Sequence, residues 1–143
     1  MILIFVNMEN QVKVGLSALI VRDNKVLLGK RKGSHGQGQW AFPGGHMEYG
    51  EDFESSLGRE IKEETGMDLK SLKFLRVFNL LEYMPKHYVD ICFEVEVEGE
   101  PVLMEPNKCE EWKWFGFDEI PENLFSSTPS AIETLLVLSP TIF

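Results

Sequence analysis

Residues 44–67 read GGHMEYGEDFESSLGREIKEETGM, and the recurrence of apolar and acidic positions in this stretch decides the fold. From Asp52 to Thr65 the pattern predicts a helix. Asp52 suits an N-terminal cap, Phe53, Leu57 and Ile61 recur every fourth residue, and Gly66 stands where helices commonly stop. At about 100° per residue, Glu60 and Glu64 fall within about 20° of Phe53 on the helical wheel, so the stripe expected to be buried turns acidic in its last turns. Two carboxylates one turn apart, with Glu63 beside them, also occupy the end of the helix where the macrodipole disfavours negative charge. A hard divalent cation would supply the missing charge, because Mg²⁺ is usually held by one or two carboxylates together with waters and substrate phosphates. The plainer alternative is an acidic helix end paired with surface lysines.

Upstream, Trp40-Ala41-Phe42-Pro43-Gly44-Gly45 leads into the helix. Proline and paired glycines predict a tight turn that brings backbone carbonyls close, so Gly44 could offer a main-chain oxygen to the same ion. Before it, Gly29 to Gln39 holds four glycines and the run Lys30-Arg31-Lys32. This predicts a loop with dense positive charge, of the kind that meets phosphates or simply faces solvent. Val12 to Arg22 and Lys25 to Leu28, separated by Asp23-Asn24, read as a hairpin.

Downstream, Leu72 to Leu81 and the alternating His87 to Val97 read as strands, with a turn at Tyr83 to Lys86. Gly99 to Glu111 is polar and reads as a surface loop, Trp112 to Phe115 as a short strand, and Ala131 to Leu138 as an amphipathic helix. No repeat or interdomain linker interrupts the chain. The elements predict an α/β (α+β) architecture, a mixed sheet sandwiched between helices.

At 143 residues, 43% of them hydrophobic, the chain has the size of one domain, residues 1–143, with an adequate core. Its formal net charge is −9, and residues 45–67 contribute seven acids against two bases, so the acidity concentrates where the metal is expected. Such a balance excludes a nucleic-acid polymer held along a basic stripe, but permits a small polyanion escorted by a cation. Cys92 and Cys109 form no CxxC pair, which fits buried thiols in a reducing cytoplasm and no structural zinc. Met1 to Val6 is apolar but too short for a membrane span and lacks the features of a signal peptide. The stable domain is expected to start near Met8, with residues 1–7 an extra strand or a disordered arm.

Gly45, five residues, Glu51, seven residues, Arg59-Glu60-Ile61, one residue, Glu63-Glu64, one residue and Gly66-Met67 together resemble the Nudix box at every defined position. The resemblance runs from about Val12 to Phe125. Leu27 to Ser34, Phe42 to His46, His87-Tyr88-Val89, Glu105 to Glu110 and Trp112-Lys113-Trp114 are similar to MutT-like nucleoside triphosphate diphosphatases of the cytosolic type.

The resemblance implies a Nudix-type α/β/α sandwich and a hydrolase acting on a nucleoside diphosphate linked to a second moiety. The leading expectation is a (deoxy)nucleoside triphosphate, such as oxidised dGTP or a dCTP-like substrate, cut to monophosphate and pyrophosphate as in nucleotide-pool sanitation. Carried onto this chain, Glu60 and Glu64 become the principal metal ligands for Mg²⁺ or Mn²⁺. Glu63 becomes a further ligand or the residue handling the attacking water, and the Gly44 carbonyl another ligand. Glu51 and Arg59 become a structural pair, with Gly45 and Gly66 structural within the motif. Arg31 is expected to meet the phosphates, and His46 and Phe125 to lie near the nucleotide. A homodimer is expected from the resemblance alone.

Ala41 stands where relatives can carry a polar side chain facing the base, and Ser126 to Pro129 depart from the branch's pattern, so base preference does not carry over. Among Trp40, Phe42, Trp112 and Trp114, core packing is the commoner use, and at most one is expected to touch the base. Dinucleoside polyphosphates, for which Tyr83 is a weak pointer, nucleotide sugars, ADP-ribose and RNA caps are the other substrate classes. A non-catalytic nucleotide-binding module is the rival from another class; such modules typically lose box carboxylates, and Glu51, Glu60, Glu63 and Glu64 are all present.

Overall fold

The computed structural model describes residues 10–33 and 35–139, so the expectations for residues 1–7 lie outside the described residues. Strands β1 (Val12–Arg22) and β2 (Lys25–Arg31) form the expected hairpin. The two loop residues, Asp23 and Asn24, both take positive φ, 51° and 58°. That backbone twist matches the twist of the flanking strands, and Asp and Asn tolerate it better than most side chains. The chain continues through β3 (Trp40–Ala41), β4 (Gly44–His46), α1 (Phe53–Thr65), β5 (Asp68–Leu80), β6 (His87–Glu98), β7 (Cys109–Gly116) and α2 (Thr128–Leu138).

Among the described residues the strands form a seven-stranded sheet. Its main path runs β3-β2-β1-β6-β5, with β4 added to β1 and β7 to β2. β1 and β6 are parallel, from Val12 opposite His87 to Ile20 opposite Val95, whereas the other strand pairs are antiparallel. The sheet is therefore mixed, as expected.

Side-chain alternation along β1 divides the core between two helices. Leu16, Ala18 and Ile20 face α1, where they pack with Leu27, Leu57, Ile61, Met67, Phe93 and Val95. Leu19 faces the other way, toward α2, and packs with Val26, Leu28, Trp40, Phe115, Ala131 and Leu135. Leu57 and Ile61 are fully buried, each contributing about 1.5–3 kcal/mol through removal of apolar surface from water. Asp52 caps α1 by accepting from the Ser55 N–H at 2.7 Å, and Gly66 ends it in the left-handed conformation at φ 74°. Among the described residues, no helix is long and apolar enough to cross a membrane.

Some boundaries differ from the sequence reading. Phe53 is 43% exposed rather than buried, because the first turn of α1 overhangs the sheet; its ring leans on Phe93 at 5.6 Å between centroids. The expected loop from Gly29 is shorter, since β2 runs through Arg31 and pairs on both sides, with β3 and β7. The segment Trp40 to Gly45 is not a simple turn but two short strands separated by Phe42 and Pro43. β5 begins at Asp68, β7 at Cys109 and α2 at Thr128, each earlier than periodicity suggested: strand pairing extends β5 and β7 into polar residues, and α2 opens with Pro129 in its first turn.

Candidate active site

The paired glycines bring the end of α1 against the sheet. A Cβ on Gly44 would lie 2.1 Å from the Leu16 carbonyl oxygen, so β4 can press onto β1 only if that residue has no side chain. A Cβ on Gly45 would lie 2.4 Å from the Glu60 carboxyl carbon. The first glycine makes the strand pairing possible and the second leaves room for a carboxylate.

Glu64 projects into this junction, and its Oε2 accepts the Gly44 N–H at 2.8 Å. Burial pushes its carboxyl up to about 8, opposed by that hydrogen bond and reinforced by the negative charge of Glu60 and Glu105. Burial also raises Glu60, against the pull of Arg59. The backbone carbonyl of Glu64 accepts the Trp112 indole N–H at 3.1 Å, which ties the last turn of α1 to β7.

Arg59 is the hub of the acidic side. Its Nε and Nη2 grip Glu51 as a fork, at 2.8 and 2.9 Å, while Nη1 reaches Glu60 at 2.9 Å and Glu63 at 3.3 Å. Nη2 also donates to the His46 carbonyl at 3.2 Å, fixing the β4–α1 loop to the helix. The hydrogen bonds from Arg59 hold the Glu51 carboxyl down at about 2.

One guanidinium thus faces Glu51, Glu60 and Glu63, while the half-buried Glu64 side chain has, among the described residues, the Gly44 N–H as its single hydrogen-bond donor. The donor set is all oxygen, its two innermost carboxylates are destabilised as anions, and Gly45 leaves Glu60 unobstructed; these features fit a hard divalent cation. Among the described residues no three His, Cys, Asp or Glu side chains are arranged to hold an ion by themselves. That suits an ion whose shell is completed by water and substrate oxygens.

Beside this cluster lies an open cavity of about 360 Å³, lined by residues of β1, β4, β6 and the segment before α2. Arg31 stands at its border with the carboxylates. Its Nε donates to the His35 carbonyl at 2.8 Å and its guanidinium carbon lies 3.8 Å from the centre of the Phe125 ring. Burial lowers the Arg31 pKa below its usual value, while Tyr83 and Glu64 oppose the shift. Tyr83 stacks on the far side of the aromatic cluster, 5.7 Å from Phe125 and 5.3 Å from His35. On the opposite wall, the exposed His46 stacks on Tyr88 at 5.3 Å, and burial, then Lys13 and Lys86, lower its pKa.

The NUDIX domain family model matches residues 11–135. The chain belongs to the Nudix family. It is 36% identical over 113 residues to an ADP-ribose pyrophosphatase of Methanocaldococcus jannaschii, covering 78% of this chain and 66% of that protein. It is 31% identical over 105 residues to an oxidized purine nucleoside triphosphate hydrolase of Danio rerio, covering 72% of this chain and 65% of that protein. The chain thus spans just under two thirds of the length of these relatives. The crystal structure of a MutT NUDIX hydrolase from Burkholderia pseudomallei superposes with a TM-score of 0.83 at 35% identity, over 87% of this chain and 98% of that one.

Within this Nudix fold, Gly44, Gly45, Glu60 and Glu64 meet where β4 packs on α1, Glu63 is held by Arg59 on the exposed side at 3.3 Å, and Glu51 and Arg59 form the expected pair. Arg31, His46 and Phe125 all line the adjoining cavity. Phe42 lines it too, whereas Trp40 packs in the α2-side core and Trp112 and Trp114 against the α1-side core.

Sequence reasoning missed three positions. Glu105 lies in the polar loop before β7, faces the same small cleft as Glu64 and Lys108, and adds negative charge to both Glu60 and Glu64. Asp90 and Ser17 sit on the cavity floor. For Asp90 a signal existed: it shares the strand face of Tyr88 and Cys92 but is charged.

Proposed function

We propose that this Nudix chain hydrolyses a nucleoside diphosphate linked to a second group, with divalent-metal assistance, and that a nucleoside triphosphate is its foremost substrate, cut to monophosphate and pyrophosphate. The observation that carries the proposal is the adjacency of a nucleoside-sized cavity, Arg31 at its border and a half-buried, under-satisfied Glu64 beyond it. A nucleoside in the cavity would hand its phosphates across Arg31 to the carboxylates. The Danio rerio relative, an oxidized purine nucleoside triphosphate hydrolase, points the same way.

Glu60, Glu64 and the Gly44 carbonyl are the groups assigned to hold Mg²⁺ or Mn²⁺, with Glu63 and Glu105 as neighbouring carboxylates. A cation held there would neutralise phosphate charge and acidify a water bound to it. Arg31 binds phosphate oxygens, its guanidinium held over the Phe125 ring. Glu63 is 51% exposed at its side chain and bound only at 3.3 Å to Arg59, against 14% exposure for Glu60, so it can turn toward the cleft. In the proposed step water adds to phosphorus, the bridging P–O bond breaks toward the leaving phosphate, and Glu63 accepts the water proton. Arg59 and Glu51 touch no reacting atom and act as positioning residues.

ADP-ribose is the second reading, favoured by the Methanocaldococcus jannaschii relative. Incubating the purified protein with Mg²⁺ and a panel of nucleoside triphosphates, dinucleoside polyphosphates, nucleotide sugars and ADP-ribose, then identifying products, separates the two. Monophosphate and pyrophosphate from triphosphates are expected; cleavage of ADP-ribose alone would overturn the triphosphate assignment.

A further inference from the structure

The phosphate chemistry leaves one carboxylate of the cleft unused. Asp90 lies on β6, on the face that carries Tyr88 and Cys92, and lines the cavity floor far along the chain from the box glutamates. Its Oδ2 accepts the Ser17 hydroxyl at 2.8 Å across the parallel β1–β6 pair. Among the described residues no other hydrogen bond or ion pair reaches this side chain, and burial, opposed by Ser17 alone, pushes its carboxyl up to about 6.

The residue opposite Asp90 on β1 is Gly15, and a Cβ there would stand 3.3 Å from Asp90 Oδ1. Glycine at that position keeps a side chain off Oδ1 on the side of β1. A carboxylate has about four lone-pair sites, of which Ser17 uses one. An ionised group held in this way costs stability unless something supplies donors. Holding Ser17 in place does not require a charge, since a neutral amide carbonyl could accept the same hydroxyl proton. The arrangement is that of a small number of polar groups set into a largely apolar cavity to orient a ligand.

We propose that Asp90, oriented by Ser17, is a specificity-determining residue that reads the hydrogen-bonding edge of the nucleobase by accepting its N–H donors. The ligand chemistry follows. Guanine offers the carboxylate two parallel donors, its ring N–H and the adjacent exocyclic amine, of which hypoxanthine keeps only the ring N–H; cytosine offers its exocyclic amine, where uracil sets a carbonyl lone pair against the carboxylate. Between two rings of equal size, the amine-bearing one is therefore selected: guanine over hypoxanthine, and cytosine over uracil. The apolar part of the cavity formed with Phe42 and Leu80 accommodates the ring but carries no such discrimination. The inference rests on the nucleotide reading above, with the base lying in the cavity.

The test uses equilibrium binding of nucleoside monophosphates to the full chain by calorimetry, which requires no turnover. For whichever ring size binds, wild type is expected to prefer GMP over IMP, or CMP over UMP, by about tenfold or more, since a site built to bond a donor rejects the analogue lacking it. In Asp90→Asn, which keeps the shape and an acceptor for Ser17 but presents an amide, that ratio is expected to fall to within about threefold. A wild-type ratio near one, or an unchanged ratio in a folded Asp90→Asn, overturns the inference. Should that variant fail to fold, the N–H protons of ¹⁵N-labelled GMP or CMP bound to wild type decide instead. Protection from solvent exchange supports acceptance by the carboxylate, and exchange as fast as in free nucleotide refutes it. Triphosphate hydrolysis with no amine preference would sink this inference alone, whereas amine-selective binding without hydrolysis of any panel substrate would sink the hydrolase reading alone.

Discussion

Glu51 and Glu64 flank the same cleft but are held in opposite ways. Glu51 receives two N–H groups of Arg59 as a fork and the Glu48 backbone N–H at 2.8 Å, and its carboxyl stays ionised down to about 2. Glu64, half-buried, has one backbone donor among the described residues and is pushed up to about 8. Asp90, with one hydroxyl donor, resembles Glu64 rather than Glu51. A carboxylate whose lone pairs are filled by the protein builds structure, while one left short of donors in a cavity is set to receive a ligand. Arg59 and Glu51 accordingly form the scaffold, and Glu64 and Asp90 are the groups that the proposed reading assigns to the phosphates and to the base.

The largest test of this contrast is Glu64→Gln. The amide oxygen can still accept the Gly44 N–H, so the fold should hold, while turnover with Mg²⁺ and triphosphates should drop on the order of 10³-fold, equivalent to about 4 kcal/mol of barrier. Retention of full activity would show that Glu64 is only a buried structural group.

The paired glycines sharpen the same comparison. Gly44→Ala drives a Cβ into the Leu16 backbone and should unfold the β4–β1 junction, seen as a lowered Tm. Gly45→Ala meets the Glu60 carboxyl, the far end of a side chain rather than backbone, and should keep the fold but weaken Mg²⁺ activation roughly tenfold, measured by titrating the metal. Equal loss of stability in both variants would contradict the separate roles assigned to them.

Arg31→Ala should raise KM for triphosphates by about 10- to 100-fold, the cost of losing a charge-assisted phosphate contact of about 1.5–3 kcal/mol, with a smaller effect on kcat. Unchanged kinetics would remove Arg31 from the substrate path.

The smallest effect concerns stability. Asp90 titrates at about 6 in the fold against an ordinary value of 3.8. The folded chain binds more protons between those values, so the contribution of this group is most favourable below about pH 4 and is lost as pH rises through 6. Asp90→Asn should then melt roughly 2–6 °C above wild type at pH 7.5, with no gain near pH 4. A destabilised variant at pH 7.5 would mark Asp90 as structural and align it with Glu51.

The box was legible because its geometry is local. Residues a turn apart on one helix must share a face, and Asp52 and Gly66 set the ends of that helix whatever packs against it. What escaped the sequence lies on strands and loops whose neighbours are remote. Phe125 reaches Arg31 because the segment after Asn123 adds to β3, with Trp40 N–H donating to the Asn123 carbonyl at 2.9 Å and Phe125 N–H to the Trp40 carbonyl at 2.8 Å. Nothing in the composition of residues 121–126 announces that pairing. Glu105 looked like one more acid in a polar loop, and its place beside Glu64 follows from β7 joining β2.

By itself, then, the sequence determined an acidic helix end and the strand alternation that buries one side of it, since both follow from fixed backbone periods. The tertiary structure decided which carboxylates are satisfied and which are left waiting. Donor supply depends on partners brought together from distant parts of the chain: Gly44 beside Glu64, Ser17 beside Asp90, and Gly15 leaving Oδ1 clear.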